Sequence, residues 1–335
     1  MPRRLTIATE TLRLAEPFAI SGYVFETAEV LVAELTDGAH RGRGEAAGVY
    51  YLGDDLAHMR AAVEIARPAI EAGADRQDLR TLLPPGGARN ALDAALWELE
   101  ASQTGRPVWD LGGLARPKPL RTTFTISADM PEAMARKALS YATALSIKVK
   151  LTGDVRLDVE RVAAIRAVRP DVWLGVDGNQ GFARADLEAL IAGLVPLGVE
   201  LLEQPLPRGR EAELAGLGAP IPIAGDESLL SLADLPAAPG RFDVVNIKLD
   251  KCGGLTEGLM MAAEARRLGL GVMVGTMIGT SLATAPGFIL GQVADLVDLD
   301  GPTFLAADRE PSVRYQNGAL FAGPEVWGAG ETVTA

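Results

Sequence analysis

The chain has 335 residues, of which 48% are hydrophobic and 23% charged, and a formal net charge of −12. This composition is typical of a folded globular protein and excludes a disordered chain. The acidic balance argues against a nucleic-acid partner, since a polyanion needs a basic surface. No apolar run is long enough to cross a membrane, and Cys252 is the one cysteine. We therefore expect a cytoplasmic protein without a membrane segment or an internal disulfide.

The sequence contains two histidines, His40 and His58. A Ser-His-Asp triad, a Cys-His pair or a histidine-ligated zinc site would have to use one of them. Neither has neighbours that suit such a role, and a surface or structural role is the simpler interpretation. We therefore expect any acid/base chemistry to use lysine and carboxylate side chains.

The first part of the chain has the pattern of an α+β domain. Alternating apolar and polar residues predict strands over 4–14 and 28–36, and apolar residues at helical spacing predict helices over 55–72 and 88–103. A stretch rich in proline and glycine follows these helices and is typical of a domain junction. We predict that residues 1–118 form this first domain.

From residue 119 onward, short β-rich segments alternate with helical ones. The predicted strands begin at residues 122, 147, 173, 200, 221, 244, 271 and 296. Units that repeat roughly every 25 residues predict an α/β fold, a TIM-type (β/α)8 barrel over 119–305, with a helical segment in each gap. Residues 306–335 are expected to pack back on the first domain.

Charged residues stand where these strands end, which is the edge at which barrel enzymes place their active sites. They are Lys148, Lys150, Asp177, Glu203, Asp226, Glu227, Lys248, Asp298 and Asp300. Each one alone is compatible with a solvated strand end or a structural ion pair. Their convergence on one barrel mouth favours a functional site.

Three of these carboxylates come from adjacent strands and can meet at one point: Asp177, Glu203 and Asp226. Clustered carboxylates need a cation, and ligation by oxygen alone favours a hard ion such as Mg²⁺. Three protein ligands leave room in an octahedral shell for substrate oxygens. The alternative is a carboxylate cluster that nearby lysines neutralise.

Two lysines are expected to face each other across the mouth. Lys150 and Lys248 lie on the second and sixth strands, which are opposite in a ring of eight, and Lys148 shares the strand face of Lys150. Amines on both faces of one carbon, beside a cation, suit removal of a proton α to a carboxylate. The cation would stabilise the enolate that forms.

Five short motifs carry these residues. They are Ile147-Lys148-Val149-Lys150, Val176-Asp177-Gly178-Asn179, Leu202-Glu203-Gln204-Pro205, Gly225-Asp226-Glu227-Ser228 and Asn246-Ile247-Lys248. In this order and spacing they resemble the muconate-lactonizing subgroup of the enolase superfamily, over nearly the whole chain. The resemblance implies a (β/α)7β barrel with an α+β capping domain.

The same resemblance implies roles for these side chains. Lys150 and Lys248 would be the acid/base pair. The Mg²⁺ ligands would be Asp177, Glu203 and Asp226, with Mn²⁺ as a substitute for Mg²⁺. Asn179 and Glu227 would lie behind these ligands, and Lys148 would contact the substrate.

The eighth strand separates the reactions of this subgroup, which include muconate cycloisomerisation, o-succinylbenzoate synthesis, N-succinylamino acid racemisation and dipeptide epimerisation. Asp298-Leu299-Asp300 resembles the Asp-x-Asp motif of dipeptide epimerases of the L-Ala-D/L-Glu type. Two carboxylates on one strand face suit a free α-ammonium group, which muconate and the succinylbenzoate precursor lack. We therefore expect a Mg²⁺-dependent epimerase that inverts the C-terminal residue of an L-Ala-L-Xaa dipeptide. The alternative is that both acids only cap the strand end.

Side-chain selection is expected to fall to two capping-domain loops, near residues 17–30 and 48–55. Relatives acting on L-Ala-D/L-Glu generally carry an arginine in the first loop, whereas here it holds Tyr23 and Phe25 and no basic residue. This favours an apolar or aromatic Xaa, with Tyr51 contributing from the second loop.

Thr276 and Met277, after the seventh strand, are expected to shape the substrate pocket beside these loops. The competing interpretation of specificity is that a basic residue elsewhere, for instance Arg41 or Arg43, contacts an acidic side chain of the dipeptide.

Other functions are also compatible with the sequence. An o-succinylbenzoate synthase, N-succinylamino acid racemase or muconate cycloisomerase of the same superfamily is one class. A Schiff-base aldolase is another, because an active lysine on the sixth barrel strand also suits that chemistry. The expected partner is a small-molecule dipeptide, and a homo-oligomer is compatible with the sequence.

Overall fold

A computed structural model describes residues 3–328 and places a β-sheet domain on one end of a parallel barrel. The sheet domain is the capping domain expected from the sequence. Within the described residues, no helix is both long and apolar enough to cross a lipid bilayer.

The capping domain is an antiparallel three-stranded sheet covered by helices. Its elements are β1 (Arg4–Ile20), β2 (Tyr23–Asp37), β3 (His40–Ala46), α1 (Leu56–Glu71), α2 (Arg76–Leu82), α3 (Gly87–Thr104) and α4 (Val108–Leu111). The strands lie in the order β1-β2-β3. Leu5 pairs with Leu35 across β1 and β2, and both side chains are buried against the helices. Alternation therefore places one apolar face of the sheet in the core of the domain.

Most of the stretch predicted as a loop near 17–30 is instead a β-hairpin. Phe18 pairs with Phe25 and Ile20 with Tyr23, and the chain turns through two residues that end in Gly22, whose φ is 77°. Aromatic and β-branched residues favour extended backbone, and a tight two-residue turn requires the positive φ that glycine tolerates. The paired strands of the hairpin therefore carry its aromatic side chains in place of a flexible loop.

The barrel consists of eight parallel strands, which confirms the predicted α/β fold class. After the short β4 (Leu120–Arg121), its strands are β5 (Thr123–Ile126), β6 (Ser146–Lys150), β7 (Trp173–Asp177), β8 (Leu201–Glu203), β9 (Ile223–Gly225), β10 (Val244–Lys248), β11 (Gly271–Gly275) and β12 (Leu296–Asp298). They are hydrogen-bonded in sequence order. Thr122 closes the ring between its edges, because its hydroxyl accepts a hydrogen bond from the backbone N–H of Leu299 at 3.0 Å.

Helices cover the outside of the barrel unevenly. They are α5 (Pro131–Ser140), α6 (Val155–Val168), α7 (Leu187–Leu194), α8 (Leu249–Cys252), α9 (Leu255–Arg267) and α10 (Ser281–Gly291). The prediction of a helix in every gap was wrong for the gaps after β8 and β9. In these two gaps, described throughout, only 3₁₀ turns form, at Glu211–Leu214 and Leu232–Ala237. Prolines and glycines interrupt both gaps and disfavour longer helices.

The residues after β12 run over both parts of the molecule. A 3₁₀ turn at Gly301–Phe304 leads to β13 (Arg314–Gln316) and β14 (Ala319–Phe321), and β14 pairs with both β13 and β4. Contacts with the capping domain flank this small sheet: Arg309 forms an ion pair with Glu10, and the Trp327 indole donates to the Arg43 carbonyl at 2.9 Å. Residues 329–335 of the predicted C-terminal segment, like residues 1–2, lie outside the described part of the chain.

Candidate active site

The barrel interior changes character along its length, because alternate strand residues point inward. Toward the amino ends it is apolar, and buried Leu201, Ala224, Val244 and Met273 pack together. Two residues further along most of these strand faces, the inward side chains become polar. They are Lys148, Lys150, Asp177, Glu203, Asp226, Asn246, Lys248 and Asp298, and all of them are buried.

Lys148 lies at the centre of this polar layer. Its Nζ atom is 2.7 Å from Glu203 Oε2, 2.8 Å from Asp298 Oδ2 and 3.1 Å from Asp177 Oδ2. Burial alone would lower the pKa of Lys148, but the charges of Asp298, Glu203 and Asp177 raise it well above its usual value. Lys148 is therefore a fixed cation that joins its own strand, β6, to β7, β8 and β12.

Lys150 and Lys248 lie on opposite sides of the barrel, since β6 and β10 are four strands apart in the ring of eight. Lys150 Nζ is 2.7 Å from Asp177 Oδ2, and Lys248 Nζ is 2.7 Å from Asp226 Oδ2. A Cβ atom at Gly275 would lie 2.6 Å from Asn246 Oδ1 and 3.0 Å from Lys248 Cε, so glycine at the end of β11 leaves room for both side chains. Both lysines line the cavity at the barrel mouth.

A fourth buried lysine, Lys251, was not assigned a role from the sequence. Its Nζ atom lies 2.6 Å from Asp226 Oδ1 and also donates to the carbonyls of Leu229 and Asn246 at 3.0 and 2.9 Å. It lies in the short helix α8, where no periodicity predicts which residues point inward. The available signal was the short spacing of Lys248, Asp250 and Lys251 at the end of β10 and directly after it.

The clustered carboxylates differ strongly in acidity. Burial raises the pKa of Asp177, but Lys150 and Lys148 hold it down at about 2, and the neighbouring lysines likewise depress the pKa of Asp226. Burial and the charge of Asp177 raise the pKa of Glu203 to about 7. Glu203 therefore differs in acidity from Asp177 and Asp226, although Lys148 contacts it at 2.7 Å.

We define the polar centre as ten buried side chains: Lys148, Lys150, Lys248, Lys251, Asp177, Glu203, Asp226, Glu227, Asp298 and Asp300. Six carboxyl groups and four ammonium groups leave an excess of two negative charges when all are ionised. Beside them, Asn179 donates to Glu227 Oε1 at 3.3 Å, while Asn179 Oδ1 and Glu227 Oε2 are buried without a hydrogen-bond partner.

These features fit a hard divalent cation in charge and in donor type. Within residues 3–328, no three histidine, cysteine, aspartate or glutamate side chains stand in a ready-made metal-ligand arrangement. Lysine ammonium groups contact the oxygens of Asp177, Glu203 and Asp226 instead. A cation at these three residues would therefore have to displace lysine contacts.

Asp298 and Asp300 close the polar centre at the β12 side. Asp298 pairs with Lys148 and accepts a hydrogen bond from the Thr123 hydroxyl, and Asp300 Oδ2 accepts from the backbone N–H of Thr125 at 2.6 Å. Burial and the charge of Asp298 raise the pKa of Asp300 to about 7. Both acids line the cavity, so neither is confined to capping the strand end.

The cavity above the polar centre has a volume of about 400 Å³, which suits a small molecule. Its upper wall is largely apolar and comes from the hairpin, from the segment after β3, from the loop after β11 and from the 3₁₀ turn after β12. The residues concerned are Phe18, Ile20, Phe25, Tyr50, Tyr51, Thr276, Met277, Ile278 and Phe304. The floor is polar, so the cavity is suited to a ligand with one apolar part and one charged part.

Aromatic rings form a connected cluster at the rim of the cavity. Tyr50 contacts Tyr23, Phe25 and Tyr51 edge to face, with ring centroids 4.8–5.2 Å apart. Tyr23 was predicted to bind substrate, but it lies outside the cavity wall and 47% of its surface is exposed. It therefore supports Tyr50 and Phe25 from the solvent side.

Arg41 and Arg43, the alternative partners for an acidic substrate, point away from the cavity. Arg41 pairs with Glu34 on the surface of the cap sheet, and Arg43 Nη2 lies 2.6 Å from Glu98 Oε1. Neither lines the cavity, so neither is placed to meet an acidic side chain of a ligand there. Among the described residues, the basic side chains in the cavity wall are the three floor lysines, Lys148, Lys150 and Lys248.

Comparison with known proteins agrees with this geometry. A family model described as enolase C-terminal domain-like matches residues 131–332. The chain belongs to the enolase superfamily. It is 40% identical to the L-Ala-D/L-Glu epimerase of Escherichia coli (strain K12) over 320 residues, which cover 95% of this chain and 99% of that protein.

Two solved structures of the superfamily are also similar over almost their whole length. One is an enolase family member from Agrobacterium tumefaciens with homology to dipeptide epimerases and with bound sodium and L-Ala-L-Glu, at a TM-score of 0.95, 39% identity and coverage of 98% of this chain and 100% of that one. The other is a dipeptide epimerase from Methylococcus capsulatus complexed with Mg and L-Arg-D-Lys, at a TM-score of 0.91, 31% identity and coverage of 98% and 99%. The resemblance inferred from the five motifs is thereby confirmed.

Proposed function

We propose that this protein is a dipeptide epimerase, an isomerase that inverts the α-carbon of the C-terminal residue of a dipeptide. The observation that carries the proposal is the pair Lys150 and Lys248 on opposite strands of one cavity, with Asp298 and Asp300 at its edge. The similarity to dipeptide epimerases supports the same reaction.

In this reaction the two lysines exchange one proton with the α-carbon from opposite faces. One lysine, as a neutral amine, takes the α-proton, and the other, as an ammonium, delivers a proton to the opposite face. Their roles reverse for the other epimer. Because each lysine contacts a carboxylate, both have defined positions at the cavity floor.

We assign Asp177, Glu203 and Asp226 to hold a divalent cation, Mg²⁺ with Mn²⁺ as a substitute. When bound, the cation supplies positive charge to the substrate carboxylate and to the negative charge that develops as the α-proton leaves. Asn179 and Glu227 lie beside these three ligands. Their unpaired oxygens, Asn179 Oδ1 and Glu227 Oε2, are suited to accept hydrogen bonds from groups bound near the cation.

The free ammonium group of the dipeptide is assigned to Asp298 and Asp300. Thr123, Thr125 and Lys148 already fix the orientation of both carboxylates, so they need little reorganisation on binding. A charge-assisted contact of this kind favours a free dipeptide over an N-acylated amino acid or muconate, neither of which has the ammonium. The acid pair therefore supports epimerisation over the lyase and cycloisomerase alternatives.

We further propose that the inverted residue has an apolar or aromatic side chain. Phe25, Tyr50 and Tyr51 offer ring faces at the upper wall, and the acidic residues Glu29 and Asp55 also line the cavity. Burying a glutamate side chain there without a basic partner costs on the order of several kcal/mol. The similar proteins from A. tumefaciens and M. capsulatus bind different dipeptides, L-Ala-L-Glu and L-Arg-D-Lys, so side-chain choice differs among relatives.

A cytoplasmic location is part of the same proposal. Cys252, the one cysteine of the chain, lies buried as a free thiol and needs no oxidising compartment.

The proposed function is tested by incubating pools of L-Ala-L-Xaa dipeptides with the protein and Mg²⁺ in D₂O. Mass spectrometry then identifies the dipeptides that gain one deuteron, and chiral chromatography shows whether they are epimerised. We expect exchange at one carbon, with aromatic and branched apolar Xaa exchanging fastest. If no dipeptide gains a deuteron under these conditions, the proposal is wrong.

A further inference from the structure

Residues 47–54 form the segment that carries Tyr50 and Tyr51, and we call it the tyrosine loop. Ala47, Gly48, Tyr50, Tyr51 and Asp54 all line the cavity. The loop belongs to the capping domain, whereas Lys248 belongs to the barrel. The spacing between the aromatic wall and the reacting lysine therefore depends on what fixes this loop to the barrel.

A buried barrel carboxylate holds the start of the loop. Asp250 Oδ1 accepts hydrogen bonds from the backbone N–H groups of Ala47 at 2.9 Å and Gly48 at 3.2 Å. Asp250 lies two residues after Lys248, at the beginning of α8, and only 5% of its surface is exposed. One side chain thus links the tyrosine loop to the end of the strand that carries Lys248.

The loop has little freedom elsewhere. At its other end, Asp54 Oδ2 accepts from the backbone N–H of Gly87 at 2.7 Å. Gly48 has a φ of 71°, and a Cβ atom there would lie 2.0 Å from the Asp54 carbonyl oxygen. Because the loop is folded so tightly on itself, moving its start would move Tyr50 and Tyr51 with it.

We propose that Asp250 is a positioning residue that sets the aromatic wall at a fixed distance from Lys248 and thereby governs selectivity for the dipeptide side chain. The inference rests on the proposed function, and it adds to it a residue that does not touch the substrate. Loss of the two hydrogen bonds frees the start of the loop from the barrel. Apolar side chains that depend on the wall then bind less well, while the lysines keep their places on β6 and β10.

The role depends on an acceptor oxygen at this position and not on a charge. Burial raises the pKa of Asp250 to about 7, although the N–H groups of Gly48 and Ala47 oppose the shift. An asparagine keeps a carbonyl oxygen of the same reach and brings no charge. Asp250→Asn is therefore the conservative variant, and Asp250→Ala removes the contact.

Asp93 provides a matched control on the same interface between cap and barrel. It is buried in α3 and accepts two hydrogen bonds from Thr256, from the backbone N–H at 3.0 Å and from the hydroxyl at 2.5 Å. It does not line the cavity. Asp93→Ala therefore removes two cap–barrel hydrogen bonds at a distance from the tyrosine loop. Asp250 also hydrogen-bonds the side chain of Asn90 in α3, so both variants lose a contact with the same cap helix.

The test compares the wild type with Asp250→Ala, Asp250→Asn and Asp93→Ala. Steady-state epimerisation is measured for L-Ala-L-Phe and for L-Ala-L-Ala, whose short side chain needs no aromatic wall. We expect Asp250→Ala to raise KM for L-Ala-L-Phe about tenfold, with kcat and the constants for L-Ala-L-Ala changed much less. Asp250→Asn should restore selectivity to near the wild-type ratio, and Asp93→Ala should lower Tm without changing the ratio.

Hydrogen–deuterium exchange gives a readout that does not depend on activity. The peptide covering residues 47–54 should exchange faster in Asp250→Ala than in the wild type and at the wild-type rate in Asp93→Ala. This measurement separates the two proposals, because it detects loosening of the loop even if wild-type protein epimerises no dipeptide. Should Asp250→Ala fail to fold, Asp250→Ser, whose shorter side chain falls short of Ala47 and Gly48, takes its place. An unchanged selectivity ratio, unchanged loop exchange, or equal effects in Asp93→Ala would overturn the inference.

Discussion

Lys251 Nζ lies 2.6 Å from Asp226 Oδ1, on the opposite carboxylate oxygen from the one that Lys248 contacts. Asp226 is thereby held by a structural lysine on one side and by a cavity lysine on the other. Only 2% of the surface of Lys251 is exposed, and its other partners are backbone carbonyls. Its contacts assign it to stability and to the orientation of Asp226.

We predict that Lys251→Met lowers the free energy of unfolding by about 3–5 kcal/mol, because it leaves Oδ1 of the buried Asp226 carboxylate without its lysine partner, while Lys248 still contacts Oδ2. Urea denaturation measures the loss. Lys118→Met, at an exposed position, is the control and should change stability little. A loss below about 1 kcal/mol for Lys251→Met would mean that the Lys251–Asp226 ion pair contributes little to the free energy of unfolding.

The cation assignment predicts that exhaustive EDTA treatment abolishes activity and that Mg²⁺ or Mn²⁺ restores it. Glu203→Gln should weaken Mn²⁺ binding at least about tenfold in calorimetry, since it removes one anionic ligand. Asp243→Asn is the control: Asp243 accepts from the Ile223 N–H at the far end of β9 and should leave Mn²⁺ affinity unchanged. Full activity after EDTA treatment, or native Mn²⁺ affinity in Glu203→Gln, would refute the assignment.

The composition of the cavity wall predicts the side-chain preference. We expect kcat/KM for L-Ala-L-Phe and L-Ala-L-Leu to exceed that for L-Ala-L-Glu, because no arginine or histidine lines the cavity among the described residues, whereas Glu29 and Asp55 do. Phe25→Arg should shift the preference toward L-Ala-L-Glu. A tenfold preference of the wild type for the glutamate dipeptide would show that another group neutralises its carboxylate.

Recognition of the ammonium group predicts a charge-specific effect of Asp300→Asn. The variant keeps an oxygen for the Thr125 N–H but loses the negative charge. We expect kcat/KM for free dipeptides to fall roughly tenfold to a hundredfold, in line with a lost charge-assisted hydrogen bond. N-acetylated dipeptides, which carry no ammonium, should react slowly and equally with both proteins. An equal fall for both substrates would indicate a structural role instead.

The strand-borne part of the site was predictable because strand side chains alternate strictly. Lys148 and Lys150, or Leu201 and Glu203, must share a face, so charges at strand ends had to meet inside the barrel. The eight strands were predicted to within two residues for the same reason. The barrel and its polar layer therefore follow from local pattern alone.

Other parts of the site depend on contacts that no local pattern encodes. Lys251 and Asp250 lie in the four-residue helix α8, where tertiary packing decides which way each residue points. The hairpin that replaces the predicted first loop could not be predicted from one segment alone, because the pairing of its two strands with each other defines it. The fully described gaps after β8 and β9 contain no α-helix because prolines and glycines interrupt them. The prediction followed the regular strand–helix repeat and gave these residues too little weight.

The most direct test of the two-lysine account is α-proton exchange in D₂O by the single variants Lys150→Ala and Lys248→Ala, followed separately for the L,L and L,D epimers of one dipeptide. The account predicts that both variants lose epimerisation, and that each still exchanges the α-proton of one epimer, a different epimer in each case, because one base remains on one face. Near-native epimerisation by either variant, or exchange of the same epimer by both, would contradict it.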